Sequence, residues 1–280
     1  MIGLLLCPGK SILTVTATAE LGEARMNERT CVGIDIGSTA AKVAVLGPVE
    51  THFVLSTGWS SPETAKEIAR RLLALGVRVE EAAVVSTGYG RRAVDYAAKQ
   101  ITEITCFAAG CAAQFPTCTV IDVGGQDTKA IHIRDGAADD FLMNDKCSAG
   151  TGKFVEVMAN RLECEIDALF ALAERGKVLP ISSLCTVFAE SEIIGYIGAG
   201  HPREDIAAGI VDSVAEKVAQ LAERLPLEET VLLTGGLSHL NFFAQALGKK
   251  LRHTVQCLPE GRFAGAYGAA LLAQREVLSS

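Results

Sequence analysis

The stretch TVIDVGGQDTKAIHI, residues 119–133, decides the fold that we predict for this chain. An apolar strand ends at Asp122, a turn of small and polar residues follows at 124–127, and a second apolar strand begins near Lys129. The amides of such a turn can donate to phosphate oxygens, and a carboxylate at the strand end can hold the water shell of Mg²⁺. The pattern therefore predicts a β-hairpin that binds phosphate at its turn.

The same unit occurs earlier in the chain, in CVGIDIGSTAAKVAVL at residues 31–46. Here Asp35 ends the first strand, the turn is Gly-Ser-Thr at 37–39, and Lys42 follows in the second strand. On its own this segment would be an ordinary polar hairpin tip. Because the unit occurs twice, the sequence indicates a duplicated α/β fold in which two hairpins grip a polyphosphate from both sides of a cleft.

A third segment, NDKCSAGTGKF at 144–154, joins a thiol to a glycine-rich helix start. Gly150 and Gly152 allow a tight turn, and apolar residues recur at helical spacing from Phe154 onward. Amides at a helix start attract anions, and the helix dipole favours a thiolate at Cys147. The segment does not fit a Walker-type phosphate loop, because the cysteine stands where the first glycine belongs. A small buried thiol is the equal alternative for a lone cysteine.

A second cysteine stands in the same context, because Cys185 opens CTVFAESE at 185–192, just before a predicted helix. The chain has nine cysteines. Their odd number and irregular spacing argue against a secreted disulfide framework. We therefore expect a cytoplasmic protein with free thiols, some of them able to bind metal. Cys106, Cys111 and Cys118 match no ferredoxin spacing and are predicted to be core thiols.

Two helices rich in small residues are predicted at 104–115 and 262–273. Small side chains let two backbones approach closely, so we expect these helices to pack against each other. Between them in the sequence, an apolar strand ends in Gly235 and Gly236. A glycine pair at a strand end lets a flat ring approach the backbone, as an adenosine would.

Capping residues and local pattern also predict where further helices begin. Ser61 is predicted as an N-cap with proline at the next position. Further helices are predicted from about Arg91, over residues 165–176, and over 186–223 with a new start at Arg203.

Composition narrows the function classes. The 280 residues are 49% hydrophobic but only 5% aromatic, which predicts a core of Ala, Val, Leu and Ile. The net charge of −7 argues against nucleic acid as a partner. No run approaches the roughly 18 apolar residues of a membrane span. Residues 1–26 fit the rest poorly, and we interpret them as a disordered or artefactual N-terminal extension.

The order of hairpin, small-residue helix, second hairpin, glycine pair and final small-residue helix resembles the superfamily of sugar kinases, actin and heat-shock chaperones. The pairing of the two cysteine segments, 144–154 and 185–192, resembles one branch closely. That branch is the ATP-dependent activators (component A) of 2-hydroxyacyl-CoA dehydratases, of the BadF/BadG/BcrA/BcrD type, related to the ATPase subunits of benzoyl-CoA reductase. The resemblance covers about residues 30–275.

This resemblance implies a two-lobed, actin-like (ribonuclease H-like) ATPase fold with duplicated mixed-sheet domains and a nucleotide cleft between them. Lobe I is expected at 27–116, completed by a C-terminal helix at 264–280. Lobe II is expected at 117–263 and would hold the second hairpin, both cluster cysteines and the adenosine turn.

The resemblance also implies a set of residues that bind Mg²⁺ and ATP or ADP. Asp35 and Asp122 are the Mg²⁺ candidates, acting through water. Gln126 would orient the attacking water, with a simple turn hydrogen bond as the alternative. The predicted nucleotide contacts are Gly37, Ser38, Thr39, Lys42, Gly124, Gly125, Asp127, Lys129, Gly150, Gly152, Gly235 and Gly236.

Members of the resembled family are homodimers with one 4Fe–4S cluster, which here would be held by Cys147 and Cys185 of each subunit. A cubane needs four thiolates, and two-fold symmetry doubles the two that each chain offers. The implied activity is ATP-driven injection of a low-potential electron into a 2-hydroxyacyl-CoA dehydratase or related reductase. The expected donor is reduced ferredoxin or flavodoxin, with neither nucleic acid nor membrane as partner.

Two other functions stay open at this point. A sugar or small-molecule kinase of the same superfamily would use Asp145, next to Asn144, as general base toward a substrate hydroxyl. A chaperone-like nucleotide switch would use neither Asp145 as a general base nor an iron–sulfur cluster.

Overall fold

The computed structural model describes residues 29–181 and 185–279, which form two five-stranded mixed sheets with helices packed around them. The extension predicted at residues 1–26 lies outside the described residues. None of the helices in the described part combines the length and apolar character that crossing a bilayer requires. The strands are β1 (Cys31–Ile36), β2 (Ala40–Leu46), β3 (Thr51–Ser56), β4 (Ala83–Thr87), β5 (Lys99–Gln100), β6 (Cys118–Val123), β7 (Thr128–Arg134), β8 (Ala137–Asn144), β9 (Val231–Gly235) and β10 (Val255–Cys257). The helices are α1 (Ser61–Ala74), α2 (Glu103–Ala112), α3 (Gly152–Arg161), α4 (Ile166–Ala173), α5 (Thr186–Gly198), α6 (Arg203–Ala222), α7 (Asn241–Leu251) and α8 (Ala264–Ser279).

The two sheets repeat one topology. The first has the order β3-β2-β1-β4-β5, and the second has the order β8-β7-β6-β9-β10 when read from the same end. In both, the hairpin strands are antiparallel and the two following strands are parallel to the first. Even the register agrees, since Asp35 pairs with Lys42 and Asp122 pairs with Lys129. The duplicated hairpins that the sequence predicted are confirmed.

The two small-residue helices pack against each other as predicted. A side chain on Gly110 would overlap the carbonyl of Ala264, and one on Gly268 would overlap the carbonyl of Cys106. Helix α8 also crosses the first sheet, where a side chain on Gly33 would overlap backbone atoms of α8. The glycines therefore let α8 rest directly on α2 and β1. The lobe boundaries near residues 116 and 264 stay a prediction.

Two predicted helix starts were wrong in detail. The N-cap of α1 is Ser60, whose hydroxyl accepts from the amide of Glu63, and not Ser61. At Arg91 the chain makes only a short 3₁₀ turn. The reason is local, because Gly88 has a positive φ and the amide of Gly90 donates to the carbonyl of Ile36 at 2.8 Å. That bond holds the segment against β1, and the turn ends at Val94, which is fully buried and leaves the helical conformation with ψ at 83°.

Other expectations about the core are confirmed. Cys106, Cys111 and Cys118 are buried free thiols. Pro202 separates α5 from α6, as predicted, because α6 begins at Arg203.

Replacing Gly268 by alanine tests the close packing of α8 on α2. Alanine is the better helix former by about 1 kcal/mol. Overpacking typically costs about 1–3 kcal/mol, and here the overlap is with backbone, which cannot rotate away. We expect the free energy of unfolding, measured by urea denaturation, to fall by about 2 kcal/mol. The control Gln274→Ala, in the same helix, should change it by less than about 0.5 kcal/mol. A stable Gly268→Ala protein would contradict this packing.

Candidate functional site

The two hairpin turns meet where the two sheets face each other. A side chain on Gly125, in the second turn, would overlap the hydroxyl of Thr39, in the first. The turns are therefore in van der Waals contact, and a phosphate chain bound at one would also reach the other.

The first turn presents open donors over a buried acid. Asp35 is 4% exposed and lies 3.4 Å from the ammonium of Lys42. The turn is held from the side, because the hydroxyl of Thr57 donates to the carbonyl of Gly37 at 2.7 Å. Ser38 and Thr39 are exposed. The arrangement leaves their hydroxyls available to phosphate, whereas the amide of Gly37 donates to the carbonyl of Ala40 at 3.1 Å.

The second turn is closed by the same kind of backbone bond as the first. The amide of Gly124 donates to the carbonyl of Asp127 at 2.9 Å, and a side chain on Gly124 would overlap the carboxylate of Asp127. Gln126 is exposed at the tip. Its predicted role in orienting water stays a prediction.

Beneath the second turn, one lysine binds three acids. The ammonium of Lys129 lies 2.8 Å from Asp127, 3.0 Å from Glu103 and 3.6 Å from Asp122. Although burial disfavours its charge, these carboxylates raise the pKa of Lys129. The ion cluster leaves this lysine permanently charged and engaged by protein carboxylates.

Glu103 belongs to this site but was absent from the sequence analysis. It is the first residue of α2, after the N-cap Thr102. An acid behind a capping threonine is a detectable helix start. That this start lies beside Lys129 follows only from the packing of α2.

Asp122 is the most buried acid of the site, at 2% exposure. Burial raises its pKa, which Lys129 opposes, as do Lys42 and the hydroxyl of Thr234. That hydroxyl donates to Asp122 at 2.9 Å, another contact that the sequence analysis missed. A cation in the cleft would favour the ionised form of this carboxylate.

The donor set fits Mg²⁺ only together with a nucleotide. Among the described residues, no group of three or more His, Cys, Asp or Glu side chains could hold a metal ion alone. Mg²⁺ commonly binds one or two carboxylates, with water and substrate phosphates completing its shell. Asp35 and Asp122, each ending a central strand, supply that number.

The glycine pair lies beside Asp122. Gly235 has a φ of +86°, and a side chain there would overlap the carbonyl of Val123. The amide of Gly236 donates to the same carbonyl at 3.0 Å, and Gly236 itself is exposed. The turn thus presents bare backbone next to the phosphate turns, which is the property predicted for an adenosine contact.

The Cys147 segment is folded around one asparagine. The amide nitrogen of Asn144 donates to the carbonyls of Cys147 and Ala149 at 2.8 and 3.1 Å, and its oxygen accepts from the amide of Cys147 at 3.2 Å. The thiol of Cys147 is exposed, so the alternative of a buried core thiol is wrong. Asp145 is also exposed and pairs with Lys146 at 3.1 Å.

The two predicted cluster cysteines come from adjacent segments. Ser148, after Cys147, shares a hydrogen bond of 2.7 Å with Thr186, after Cys185. Cys185 is the N-cap residue of α5, and its thiol is exposed and free. Two exposed thiols on neighbouring segments fit half of a four-cysteine cluster site.

Helix α3 is attached to the second phosphate turn. The amides of Gly152 and Lys153 donate to the carbonyls of Gly124 and Gly125 at 2.9 and 2.7 Å. The sequence predicted that amides at this helix start attract an anion, but these two are engaged by the turn instead. The helix begins at Gly152, too far along the chain to place Cys147 in its first turn. The nucleotide contacts of Gly150 and Gly152 stay a prediction.

Comparison with known proteins agrees with this geometry. Residues 32–273 match the BadF/BadG/BcrA/BcrD ATPase family. The chain belongs to this family.

Relatives of this BadF/BadG/BcrA/BcrD ATPase include well-matched activators. The (R)-2-hydroxyglutaryl-CoA dehydratase activating ATPase of Acidaminococcus fermentans is 41% identical over 254 residues, which cover 88% of this chain and 97% of that protein. The crystal structure of component A of that dehydratase superposes with a TM-score of 0.84 at 38% identity, covering 90% of this chain and all of that one. The activator of the 2-hydroxyisocaproyl-CoA dehydratase from Clostridium difficile, with bound ADPNP, gives a TM-score of 0.83 at 36% identity. This match covers 89% of this chain and 96% of that one.

These comparisons confirm the actin-like ATPase fold and the family that the sequence indicated. The BadF/BadG/BcrA/BcrD ATPase family and its activator members support ATP binding and ATPase activity. The individual contacts predicted for the nucleotide and the cluster stay predictions.

Replacing Lys129 by methionine tests the buried ion cluster. The change leaves Asp122 buried without its cation, and breaking a buried pair costs about 3–5 kcal/mol. We expect the free energy of unfolding, measured in urea, to fall by that amount. The control Lys66→Met removes an exposed pair with Glu63, which water and salt screen, and should lower the free energy of unfolding far less. Equal effects in the two variants would show that the cluster is not a stabilising element.

Proposed function

We propose that this chain is a cytoplasmic, ATP-dependent electron-transfer activator of a 2-hydroxyacyl-CoA dehydratase or a related iron–sulfur reductase. The observation that carries the proposal is the pair of exposed thiols, Cys147 and Cys185, on adjacent segments. One of these segments is hydrogen-bonded to the second phosphate turn. The activator names of relatives that match nearly the whole chain support the same role.

The proposed cofactor is one 4Fe–4S cluster per homodimer, held by Cys147 and Cys185 of each subunit. When bound, such a cluster accepts and releases a single electron at a potential that its surroundings set. Each chain supplies two exposed thiols on adjacent segments, and a cubane needs four. A second copy of the chain is therefore required to complete the ligand set.

The surface next to Cys185 supports a homodimer. Helix α5 starts at this cysteine and exposes large apolar side chains along one side. Val187 and Phe188 are 64% and 65% exposed, and Ile194 and Ile197 follow farther along the helix. Contiguous apolar surface of this kind marks interaction sites. A two-fold partner seated here would cover the helix and bring its own cysteines close.

ATP acts on the cysteines through the backbone in this proposal. A nucleotide bound between the two turns would bring Mg²⁺ to Asp35 and Asp122. Any shift of the second turn passes to helix α3, since the carbonyls of Gly124 and Gly125 are bonded to its first amides. The segment of Cys147 lies immediately before that helix.

The electron transfer needs energy as well as an electron. Lowering a one-electron potential by ~300 mV costs about 7 kcal/mol. ATP hydrolysis supplies this energy in the proposal, and a donor such as reduced ferredoxin or flavodoxin supplies the electron.

The kinase alternative has less support. In the kinase alternative, Asn144 and Asp145 would form the catalytic pair. The side chain of Asn144 is instead hydrogen-bonded within the segment that carries Cys147. Asp145 is exposed and paired with its neighbour Lys146. A general base needs to face the phosphate acceptor instead.

Replacing Cys147 by serine tests the cluster. We expect the variant to lose the iron, about four atoms per dimer, and the ability to activate a dehydratase. It should still bind ADPNP, since the phosphate turns do not depend on the thiol. The control is Cys257→Ser, which alters a half-buried thiol of β10. Anaerobic purification followed by iron assay, light scattering and ADPNP titration provides the measurements. A Cys147→Ser dimer that keeps its iron and its activity would refute the proposal.

Replacing Asp145 by asparagine separates the activator from a kinase. A kinase would lose about 10²–10⁴-fold in phosphoryl transfer with its general base. The activator should keep its ATPase rate and its iron, because Asp145 binds neither nucleotide nor cluster in this proposal. ATP turnover of the purified variant, measured with and without added sugars, decides between them, and a large loss confined to the reaction with a sugar would favour the kinase.

A further inference from the structure

The segment of Cys147 is attached at both ends to Thr128, the first residue of β7. Thr128 directly follows the second phosphate turn and is buried. Its backbone pairs with that of Asn144 in β8, and its hydroxyl donates to the carbonyl of Gly150 at 2.6 Å. Asn144 and Gly150 lie on either side of Cys147 in the chain. The segment between them therefore moves with the phosphate turn.

Cys185 is held less firmly, because it is the N-cap residue of a helix that buries little. Of the 13 residues of α5, Ala189 and Ile193 are the ones that are buried. The far end of the helix is fixed separately, since the hydroxyl of Tyr196 donates to the carbonyl of Pro180 at 2.6 Å. The position of the helix start, with Cys185, therefore depends on its polar contacts with neighbouring segments.

Two side-chain contacts join α5 to the segment of Cys147 and to α3. The hydroxyls of Ser148 and Thr186 share a hydrogen bond of 2.7 Å. Four residues farther along α5, about one helical turn, the carboxylate of Glu190 pairs with Arg161 in the last turn of α3. The side chain of Glu190 is 21% exposed, so this pair is partly shielded from water. Contacts at two separate points fix both the position and the direction of α5 relative to α3.

The two cysteines are thus linked to the nucleotide turn in different ways. Cys147 follows the turn through the backbone, since both Thr128 and the first amides of α3 connect its segment to the second hairpin. Among the backbone hydrogen bonds of the described residues, none joins α5 to the turn or to α3. Energetic coupling between sites is carried by chains of packed side chains and hydrogen bonds. For Cys185, the polar part of that chain is the pair of contacts at Thr186 and Glu190.

We propose that Thr186 and Glu190 are positioning residues that make Cys185 follow the nucleotide state of the second phosphate turn, through their contacts with Ser148 and Arg161. The role of the two cysteines as cluster ligands rests on the proposed function, whereas the coupling between them does not. Two ligands of one cluster would have to keep their spacing while the turn moves. The two contacts would preserve that spacing within each subunit.

Alkylation of the two thiols tests the coupling. The full-length protein, freed of any iron with a chelator, is treated with iodoacetamide with and without ADPNP and Mg²⁺. Peptide mass spectrometry gives the rate at Cys147 and at Cys185. We expect ADPNP to change both rates by about fivefold or more, the lower end of the usual coupling between two sites. In the double variant Thr186→Val, Glu190→Met, the change at Cys185 should be lost and that at Cys147 retained, with unchanged affinity for ADPNP.

A matched control removes the same kinds of group from the same two helices. Ser191→Ala with Glu156→Met also deletes one hydroxyl from α5 and one carboxylate, here from α3. The hydroxyl of Ser191 donates to the carbonyl of Val187 within α5, and Glu156 pairs with Lys153 within α3. Because these contacts stay inside one helix, both thiols should keep their response. Thr186→Ser retains the hydroxyl and should also keep both responses.

The coupling and the cluster fail in different ways. A response at Cys185 that persists in the double variant overturns the proposal. Loss of the response at both thiols, or no response in the unsubstituted protein, overturns it as well. Should the double variant lack a thermal unfolding transition, Thr186→Val compared with Thr186→Ser decides, and valine alone should weaken the response at Cys185. The measurement needs no iron, so a failure of the proposed cluster, seen as a purified protein without iron, leaves this result unaffected.

Discussion

Much of this structure depends on the two hydrogen bonds that join the second phosphate turn to helix α3. The carbonyls of Gly124 and Gly125 accept from the amides of Gly152 and Lys153. The same turn touches Thr39 on its other side, so a side chain on Gly125 would have to displace that of Thr39. One short segment thus faces the opposite phosphate turn, the nucleotide cleft and the start of a helix at once. Because backbone hydrogen bonds join the turn to the helix, a displacement of the turn also displaces the helix start.

Buried charge imposes a second constraint on the cleft. Lys129 is 4% exposed and is surrounded by acids from three elements, since Glu103 starts α2, Asp122 ends β6 and Asp127 lies in the turn. Desolvating such a group is costly, and only close partners offset the cost. The cluster therefore fixes α2 against the second hairpin. It also prepares the cleft for a cation, because the acids outnumber this lysine.

The sequence could predict features that repeat or that depend on local pattern. The two hairpins were recognised because apolar strand, Asp, glycine turn and Lys recur, and the equal registers at Asp35–Lys42 and Asp122–Lys129 follow from that repeat. Glu103 and Thr234 were missed, since each gains its role from a neighbour distant in the sequence. The amides at the start of α3 were misread for the same reason, because their partners lie in the turn before β7. Capping at Ser60 in place of Ser61 reflects the usual uncertainty of one residue at helix ends.

The distribution of the thiols supports the proposed homodimer. Cys106, Cys111 and Cys118 are buried among apolar side chains, where burial raises the pKa of each thiol. Cys147 and Cys185 are exposed, although exposed free thiols are open to oxidation. The side chain of Asn144 makes three hydrogen bonds that fold the segment of Cys147 and hold this cysteine at the surface. Helix α5 exposes its apolar side beside Cys185. Both features are unfavourable in an isolated subunit. In the proposed homodimer both would become favourable, because a two-fold partner would cover the helix and the four thiols would share one metal cluster.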